Sequence, residues 1–539
     1  MVRRVSSATH VLPKPPFPCD LTLEQELEAF ERLKPRLATV WSAVSGSAEM
    51  PATSVVVPSL TLHNEELAKL TGASCYEERL LFLLIRLRNP RANLVYVTSQ
   101  PVHPLTLDYY LNLLAGVPAS HARARLTMLC AYDASARPLT QKVLERPRLL
   151  QRIRYAIHDH DRAYLTVFNS TPLERKLAVL LGIPLNGLDP SLAHLGSKSG
   201  SRRVFRQAGV EMPAGVEDIY TPEEAAEALG ELKRQRPSMK RALIKLNDSF
   251  SGEGNALVAC PTGNDQGLVR RAIDEAAMPV PTEQPSRYFE KLGRMGGVVE
   301  EYMEAGEKVS PSAQFRTSPT GEVLDISTHD QILGGDSGQI YLGCNFPAQD
   351  GYRQQIRAAG LRVGEVLARL GAVSRFGVDF LAWRNAPHEQ WRITALEINL
   401  RVVGTTHPFL ALRFLTGGDM DPVSGQFLSL SGRPKHYRST DNLCSEIYRG
   451  ILPEDLIDMV SMNGLHYSHR TESGVLFHMI GAVSEFGKLG LTVIGNDRDE
   501  ADAIYERTID VLRVEATLGH LPSGFQWPAG KPATKSTAS

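Results

Sequence analysis

Ala395-Leu396-Glu397-Ile398-Asn399-Leu400-Arg401-Val402-Val403-Gly404-Thr405-Thr406-His407-Pro408 is the stretch on which the reading of this chain turns. Its apolar run carries Glu397, Asn399 and Arg401 at every second position, and side chains two apart on a strand share a face. A carboxylate, an amide and a guanidinium then line one surface. Glu and Asn oxygens are hard donors suited to Mg²⁺, which is held by few protein groups together with substrate phosphates. An isolated E-x-N-x-R is more often a solvated strand face, so its meaning depends on what the rest of the chain places beside it.

Immediately upstream, Phe376 to Trp383 reads as a strand that carries Asp379 in an apolar setting, and the charged connection Arg384 to Gln390 leads on to Glu397. Asp379 and Glu397 are expected on adjacent antiparallel strands, where one cation relieves the cost of burying both carboxylates. A lone Asp in an apolar strand is usually capped or at an edge. Two carboxylates and an Asn across one hairpin are harder to set aside.

Further back, Arg241 to Leu246 and Ala256 to Ala259 read as strands around a small-residue loop containing Ser249, Ser251, Gly252 and Gly254. Such a loop can lay backbone N–H groups against phosphate, with Lys245 as a compact cation beside it. A plain hairpin with a glycine-rich turn explains the loop equally well. A helix beginning near Lys198 and ending at Gly209, and a buried strand Gly297 to Met303 running into an acidic turn with Glu307, complete the middle of the chain.

Composition sets the bounds. With 539 residues, 42% hydrophobic and 22% charged, the chain is a globular protein of several modules. A formal net charge of -1 supplies no global field for nucleic acid or an anionic membrane surface. The scattered cysteines (Cys19, Cys75, Cys130, Cys260, Cys344, Cys444) have no C-x-x-C pair, which argues for a reducing, cytoplasmic compartment. Leu80 to Ile85, the longest apolar run, is far too short to span a bilayer. Neither a P-loop nor G-x-G-x-x-G is present.

Strands at Ser54 to Pro58, Asn93 to Thr98, Ala124 to Leu129 and Tyr164 to Phe168 alternate with helices, including Tyr76 to Arg88, and indicate an α/β layer with parallel strands. From Gly432 onward the strands Thr440 to Ile447, Gly474 to Ile480 and Gly490 to Gly495, with helices Pro453 to Met462 and Asp499 to Leu512, read as a small α+β unit. The expected division is a disordered arm over 1–20, an α/β domain over 21–170, a central domain over 171–430, a small α+β domain over 431–520 and a disordered tail over 521–539. The fold class is multidomain, mixed α/β and α+β.

In their order along the chain, Lys198, Lys245, the serine/glycine loop, Glu300 to Glu307, Asp379, Glu397 and Asn399 resemble the ATP-grasp superfamily of carboxylate–amine ligases. The nearest look is to the pheganomycin-type peptide ligase branch, over most of residues 90–515. That resemblance implies a pre-ATP-grasp domain, a two-lobed ATP-grasp domain and a small C-terminal domain. It implies that Lys198 and Lys245 reach the α- and β-phosphates and that Ser249 to Asn255 is the phosphate lid. Glu300, Glu301 and Met303 would form the adenine hinge, and Glu307 would bind ribose. Asp379, Glu397 and Asn399 would ligate Mg²⁺ or Mn²⁺, and Arg401, with Lys245, would stabilise the transferring phosphoryl group or the acyl intermediate. The long tip between Asp379 and Glu397, and Glu253 within the lid, depart from the compact pattern.

The implied activity is amide or peptide bond formation from a small carboxylate and an amine, amino acids or peptides, with ATP, without nucleic acid or membrane, and with a homodimer as one compatible assembly. For substrate contacts the candidates are Gln314, Arg316, Gln331 and His407, with Asp336 beside Gly334 and Gly335. A structural role is the better reading of His407. His478 and Glu485 of the C-terminal unit are candidates to close the acceptor side. Two other classes stay open at this point: a carboxylate kinase that uses no amine, and a non-catalytic nucleotide-binding module.

Overall fold

The computed structural model describes residues 21–46, 50–249, 254–263, 265–278, 283–334 and 340–518. Both expected disordered ends, Ser251 to Glu253 of the loop, and Gly335 and Asp336 lie outside these residues.

Five parallel strands form the N-terminal layer: β1 (Thr53–Val57), β2 (Asn93–Thr98), β3 (Leu126–Cys130), β4 (Ala163–Val167) and β5 (Leu185–Asn186), in the order β3-β2-β1-β4-β5. Runs such as Ser54-Val-Val-Val57 are buried on both faces, as a covered parallel sheet requires. Val55, Val57, Val95 and Val97 pack with Phe30, Leu150 and Leu177 on one side. Val56, Leu94 and Tyr96 pack with Leu81, Leu84 and Tyr110 on the other. Ala73–Arg88 is a run of 3₁₀ turns rather than the amphipathic α-helix that its apolar face suggests. It lies between β2 and the helix Thr406–Thr416, so its apolar residues are covered on two sides and its buried Glu77, Glu78 and Arg79 find polar partners elsewhere in the chain.

A second, antiparallel sheet has the order β6-β9-β7-β8, from β6 (Gly215–Ile219), β7 (Arg241–Leu246), β8 (Asn255–Ala259) and β9 (Gly297–Glu301). The third and largest sheet begins with β10 (Glu307–Val309), β11 (Pro311–Thr317), β12 (Val323–Gly334), β13 (Ile340–Phe346), β14 (Ser374–Arg384) and β15 (Arg392–Asn399). The helix Asp350–Arg369 covers its back through Tyr352, Ile356 and Val363 against Phe315, Phe376 and Phe380. Gly360 permits that approach, because a Cβ there would meet the Phe315 ring at 2.1 Å.

After a short ribbon of β16 (Asp419–Met420) and β17 (Phe427–Leu428), the C-terminal strands β18 (His436–Cys444), β19 (Gly474–His478) and β20 (Lys488–Gly495) continue the large sheet. Its order is β10-β14-β11-β12-β13-β18-β20-β19, with β15 on β14. The small C-terminal unit expected from residue 431 onward is therefore joined to the central domain by hydrogen bonds between β13 and β18, not by packing alone. Its own core is Leu456, Val475, Phe477, Leu491 and Leu512.

Glu78 ties the N-terminal layer to this C-terminal unit. Buried in the 3₁₀ run, it accepts the Gly481 N–H at 3.1 Å. Burial pushes its carboxyl up to about 7, against the lowering effect of the Gly481 and Ile480 N–H groups. The folded protein thus holds a proton at Glu78 that the unfolded chain releases near the ordinary carboxylate value, so this group's contribution to stability is lost as pH rises toward 7. Glu77 acts in the same sense and the buried His329, His407 and His478 in the opposite one, so the test is a difference between proteins. The melting temperature of Glu78→Gln relative to the wild type should rise between pH 5 and 7.5, by the equivalent of up to about 3 kcal/mol; a difference that does not change with pH would remove Glu78 as a titrating group.

Candidate active site

The register of β14 on β15 builds the centre of the site. Asp379 lies directly opposite Glu397, and Gly377 opposite Asn399. An irregularity follows Asp379, because Phe380 pairs with Ala395 and leaves Leu396 as the extra residue. The bulge breaks strict alternation, so Leu396 and Glu397 both line the cleft, while Ala395 and Ile398 enter the core.

The two carboxylates converge. The Asn399 amide nitrogen donates to Asp379 Oδ2 at 3.0 Å and to Glu397 Oε1 at 3.3 Å, so one point lies close to both. Gln331 Nε2 donates to Asp379 Oδ1 at 2.8 Å. Lys198 Nζ pairs with Glu397 Oε2. Burial raises the Asp379 carboxyl, opposed by its hydrogen bond from Ser312 and by the Lys198 charge. Two carboxylates and one amide are the hard-donor set that Mg²⁺ takes alongside phosphate oxygens. Asn399 Oδ1 accepts from Arg401 Nη2 at 3.2 Å, and half a turn of the amide would aim that oxygen between the carboxylates. The residues present therefore fit a divalent cation.

Lysines face these acids from two elements. Lys198 opens the helix Lys198–Ala208, whose cap Ser197 accepts the Gly200 N–H at 3.0 Å and whose C-terminal Gly209 takes φ 61°. Burial, and then the charge of Lys245, lower Lys198 to about 8. Lys245, on β7, pairs with Glu300 of β9, which is 2% exposed and also meets Arg202 Nη1 at 3.4 Å. Burial brings Arg401 down to about 10, although Asp379 opposes this.

A cavity of about 760 Å³ holds these groups together. Lys198, Lys245, Glu300, Glu301, Met303, Gln331, Asp379, Glu397, Asn399 and Arg401 all line it. The other sequence candidates stand elsewhere. Glu307 is exposed and pairs with Arg384 at 2.6 Å across β10 and β14; the next residue, Lys308, faces the cleft instead, because strand alternation turns Glu307 away. Gln314 is buried between Ser327 at 3.1 Å and Thr406 at 2.6 Å. His407 is buried against His478, Nε2 to Nε2 at 3.1 Å, and does not line the cleft. Glu485 is exposed and is not among the residues lining this cleft. Ser249 and Gly254 pack on each other outside the cleft lining, and Ser251 and Gly252 lie outside the described residues. Arg316 lines a second, smaller cavity.

Sequence reasoning missed the roof. Tyr76 and Arg79 of the N-terminal layer, with Asp441, Asn442 and Lys488 of the C-terminal unit, also line the cleft. Arg79 Nη1 bonds Asp441 Oδ2 at 2.9 Å, and both side chains are buried. No local pattern marks these residues, because they meet only through tertiary folding.

Residues 190–262 and 276–423 match the family model described as IQCH-like, ATP-grasp, and residues 455–508 match the PGM1 C-terminal domain. The chain is 33% identical over 443 residues to an L-propargylglycine–L-glutamate ligase of Streptantibioticus cattleyicolor, covering 81% of this chain and 88% of that protein. The chain belongs to the ATP-grasp ligase family. It is also 24% identical to the IQ motif-containing protein H of Danio rerio, over 92% of this chain and 51% of that protein. The biotin carboxylase–β-γ-ATP complex from Campylobacter jejuni shares the fold at a TM-score of 0.51 and 12% identity, covering 88% of this ATP-grasp chain and 96% of that one.

If Lys245 neutralises nucleotide phosphate in this cleft, Lys245→Met should weaken ATP binding at least about tenfold, near 1.4 kcal/mol. Calorimetric titration of the nucleotide tests this, and an unchanged affinity would contradict the role. The same variant should also lose stability, because Glu300 keeps only Arg202 as a buried counter-charge.

Proposed function

We propose that this ATP-grasp protein joins the carboxylate of one small amino acid or peptide to the amine of another, using ATP and an acyl phosphate. The observation that carries this reading is the Asp379–Glu397 pair, with Asn399 beside it, in one cleft with Lys198, Lys245 and Arg401. The named activity of the Streptantibioticus relative, which ligates L-propargylglycine and L-glutamate, supports amino acids on both sides of the bond.

In this reading Lys198, Lys245 and Arg401 hold the ATP phosphates in line with the attacking carboxylate and offset charge on the transferring group. Asp379, Glu397 and Asn399 would hold Mg²⁺, or Mn²⁺ with its similar oxygen preference, which when bound neutralises phosphate charge. A substrate carboxylate oxygen bonds the γ-phosphorus as the bond to the ADP oxygen breaks. The amine then attacks the acyl carbon, phosphate leaves with the bonding electron pair, and the nitrogen gives up a proton. Glu300, Glu301 and Met303 stand at the adenine end. Residues 21–170, 171–430 and 431–520 serve as the pre-ATP-grasp, catalytic and C-terminal parts, with the Arg79–Asp441 contact holding the roof over the cleft.

Glu397→Ala should lower ATP turnover by about a hundredfold or more, by removing a metal ligand and the partner of Lys198. Phosphate release from the purified protein with pairs of amino acids, followed by mass spectrometry, should give a condensed product only when an amine is present. ADP formation indifferent to every amine would mean a carboxylate kinase instead.

A further inference from the structure

A second cavity, of about 70 Å³, lies between the N-terminal layer and the large sheet. Arg86 of the 3₁₀ run, Arg316 of β11 and Arg375 of β14 line it, with Arg401 at its edge, and among the described residues no Asp or Glu lines it. Neutral groups hold Arg86 and Arg316. Arg86 Nη1 donates to Ser54 Oγ and to Thr166 Oγ1, the latter at 3.2 Å, and its guanidinium lies over the Tyr164 ring. Arg316 Nη2 donates to Asn186 Oδ1 at 2.6 Å, and the guanidinium stacks 4.0 Å from the centre of the Trp41 ring. Arg316 is 8% exposed, and its Nε has no hydrogen-bond partner among the described residues.

Buried cations are ordinarily paired, and leaving one uncompensated is costly. Here three converge with no carboxylate among the described lining residues, and burial together with their mutual repulsion lowers Arg316 to about 10 and Arg375 to about 9. An anion entering this space would relieve both effects, and the guanidinium fork matches a carboxylate in particular.

The location says which anion. Arg316 and Arg375 face each other across β11 and β14, while Ser312 and Asp379 form the pair four residues along the same strands. Period-two alternation therefore places the arginines on the metal-site face, about 13 Å further along it at about 3.3 Å per residue. Arg401 and Phe168 line both cavities, so the two spaces adjoin. The smaller one has room for a carboxylate and a few atoms beside it, not for a nucleotide.

We propose that Arg86, Arg316 and Arg375 form a subsite for the side-chain carboxylate of an amino-acid substrate, which makes a dicarboxylic amino acid one of the two partners in the ligation. The proposal rests on the ligase reading, to which it adds the substrate's charge. The distal carboxylate sits among the three guanidiniums, and the reacting end of the molecule reaches past Arg401 to the larger cleft.

The test is calorimetric, on the full chain holding Mg²⁺ and a non-hydrolysable ATP analogue, with L-glutamate against L-glutamine and L-aspartate against L-asparagine. At least one acid should bind about tenfold or more tightly than its amide, and Arg375→Met should erase that preference while nucleotide affinity is retained. The melting temperature of Arg375→Met should not fall, because the substitution removes like-charge repulsion; Arg375→Lys should keep part of the preference. Acids and amides binding alike, or a preference that survives in Arg375→Met, would overturn the subsite. A lowered melting temperature with the preference intact would make Arg375 structural. Failure to bind the nucleotide analogue would instead overturn the ligase reading, and the acid and amide comparison without nucleotide would then decide the subsite.

Discussion

Two carboxylates facing each other across adjacent strands are the constraint around which this protein is arranged. Asp379 and Glu397 are brought together by the β14–β15 register, and like charges in a partly desolvated site repel unless cations stand between or beside them. Lys198, the Asn399 amide and Gln331 supply that compensation. Each comes from a different part of the chain, so the site exists only when the helix after Lys198, the β12 strand and the β14–β15 hairpin are all in place.

The same demand shapes the opposite wall. Lys245 and Arg202 share Glu300, forming a buried chain of alternating charge between β7, β9 and the Lys198–Ala208 helix. Buried ion pairs of this kind add little net stability but impose a definite geometry in many proteins. Here the geometry points ammonium groups from two elements into one cleft. The carboxylates lie on the large sheet and the Lys245–Glu300 pair on the small one, so the cleft is the gap between two rigid surfaces.

The roof follows a different logic. Arg79 and Asp441 meet from opposite ends of the chain, and Glu78 beside Arg79 accepts an N–H from Gly481. Because β18 is hydrogen-bonded to β13, the C-terminal unit cannot swing away as a separate body without breaking the sheet. The arginine cavity lies at the other margin of the cleft, where the N-terminal layer meets β11 and β14. The N-terminal layer and the C-terminal strands thus add walls to the cleft, while its floor comes from the two antiparallel sheets.

By itself the sequence determined the parts whose information is local. Alternation in Glu397-Ile398-Asn399-Leu400-Arg401 and the Phe376 to Trp383 strand placed the two carboxylates across one hairpin, whereas the meeting of Lys198, Lys245 and Glu300 in one cleft was implied only by the family resemblance. Period-two and capping signals depend on neighbours a few residues away and are readable without a fold. Alternation alone did not show the bulge that adds Leu396 to the cleft lining, and the ribose role that the resemblance implied for Glu307 meets a side chain paired with Arg384, with Lys308 facing the cleft instead. Only the tertiary structure decided the Arg79–Asp441 roof, the joining of β18 to the large sheet and the meeting of Arg86, Arg316 and Arg375. Those contacts link residues far apart in the chain, and a lone arginine in an apolar strand looks the same whether its partner is solvent, a carboxylate or a ligand.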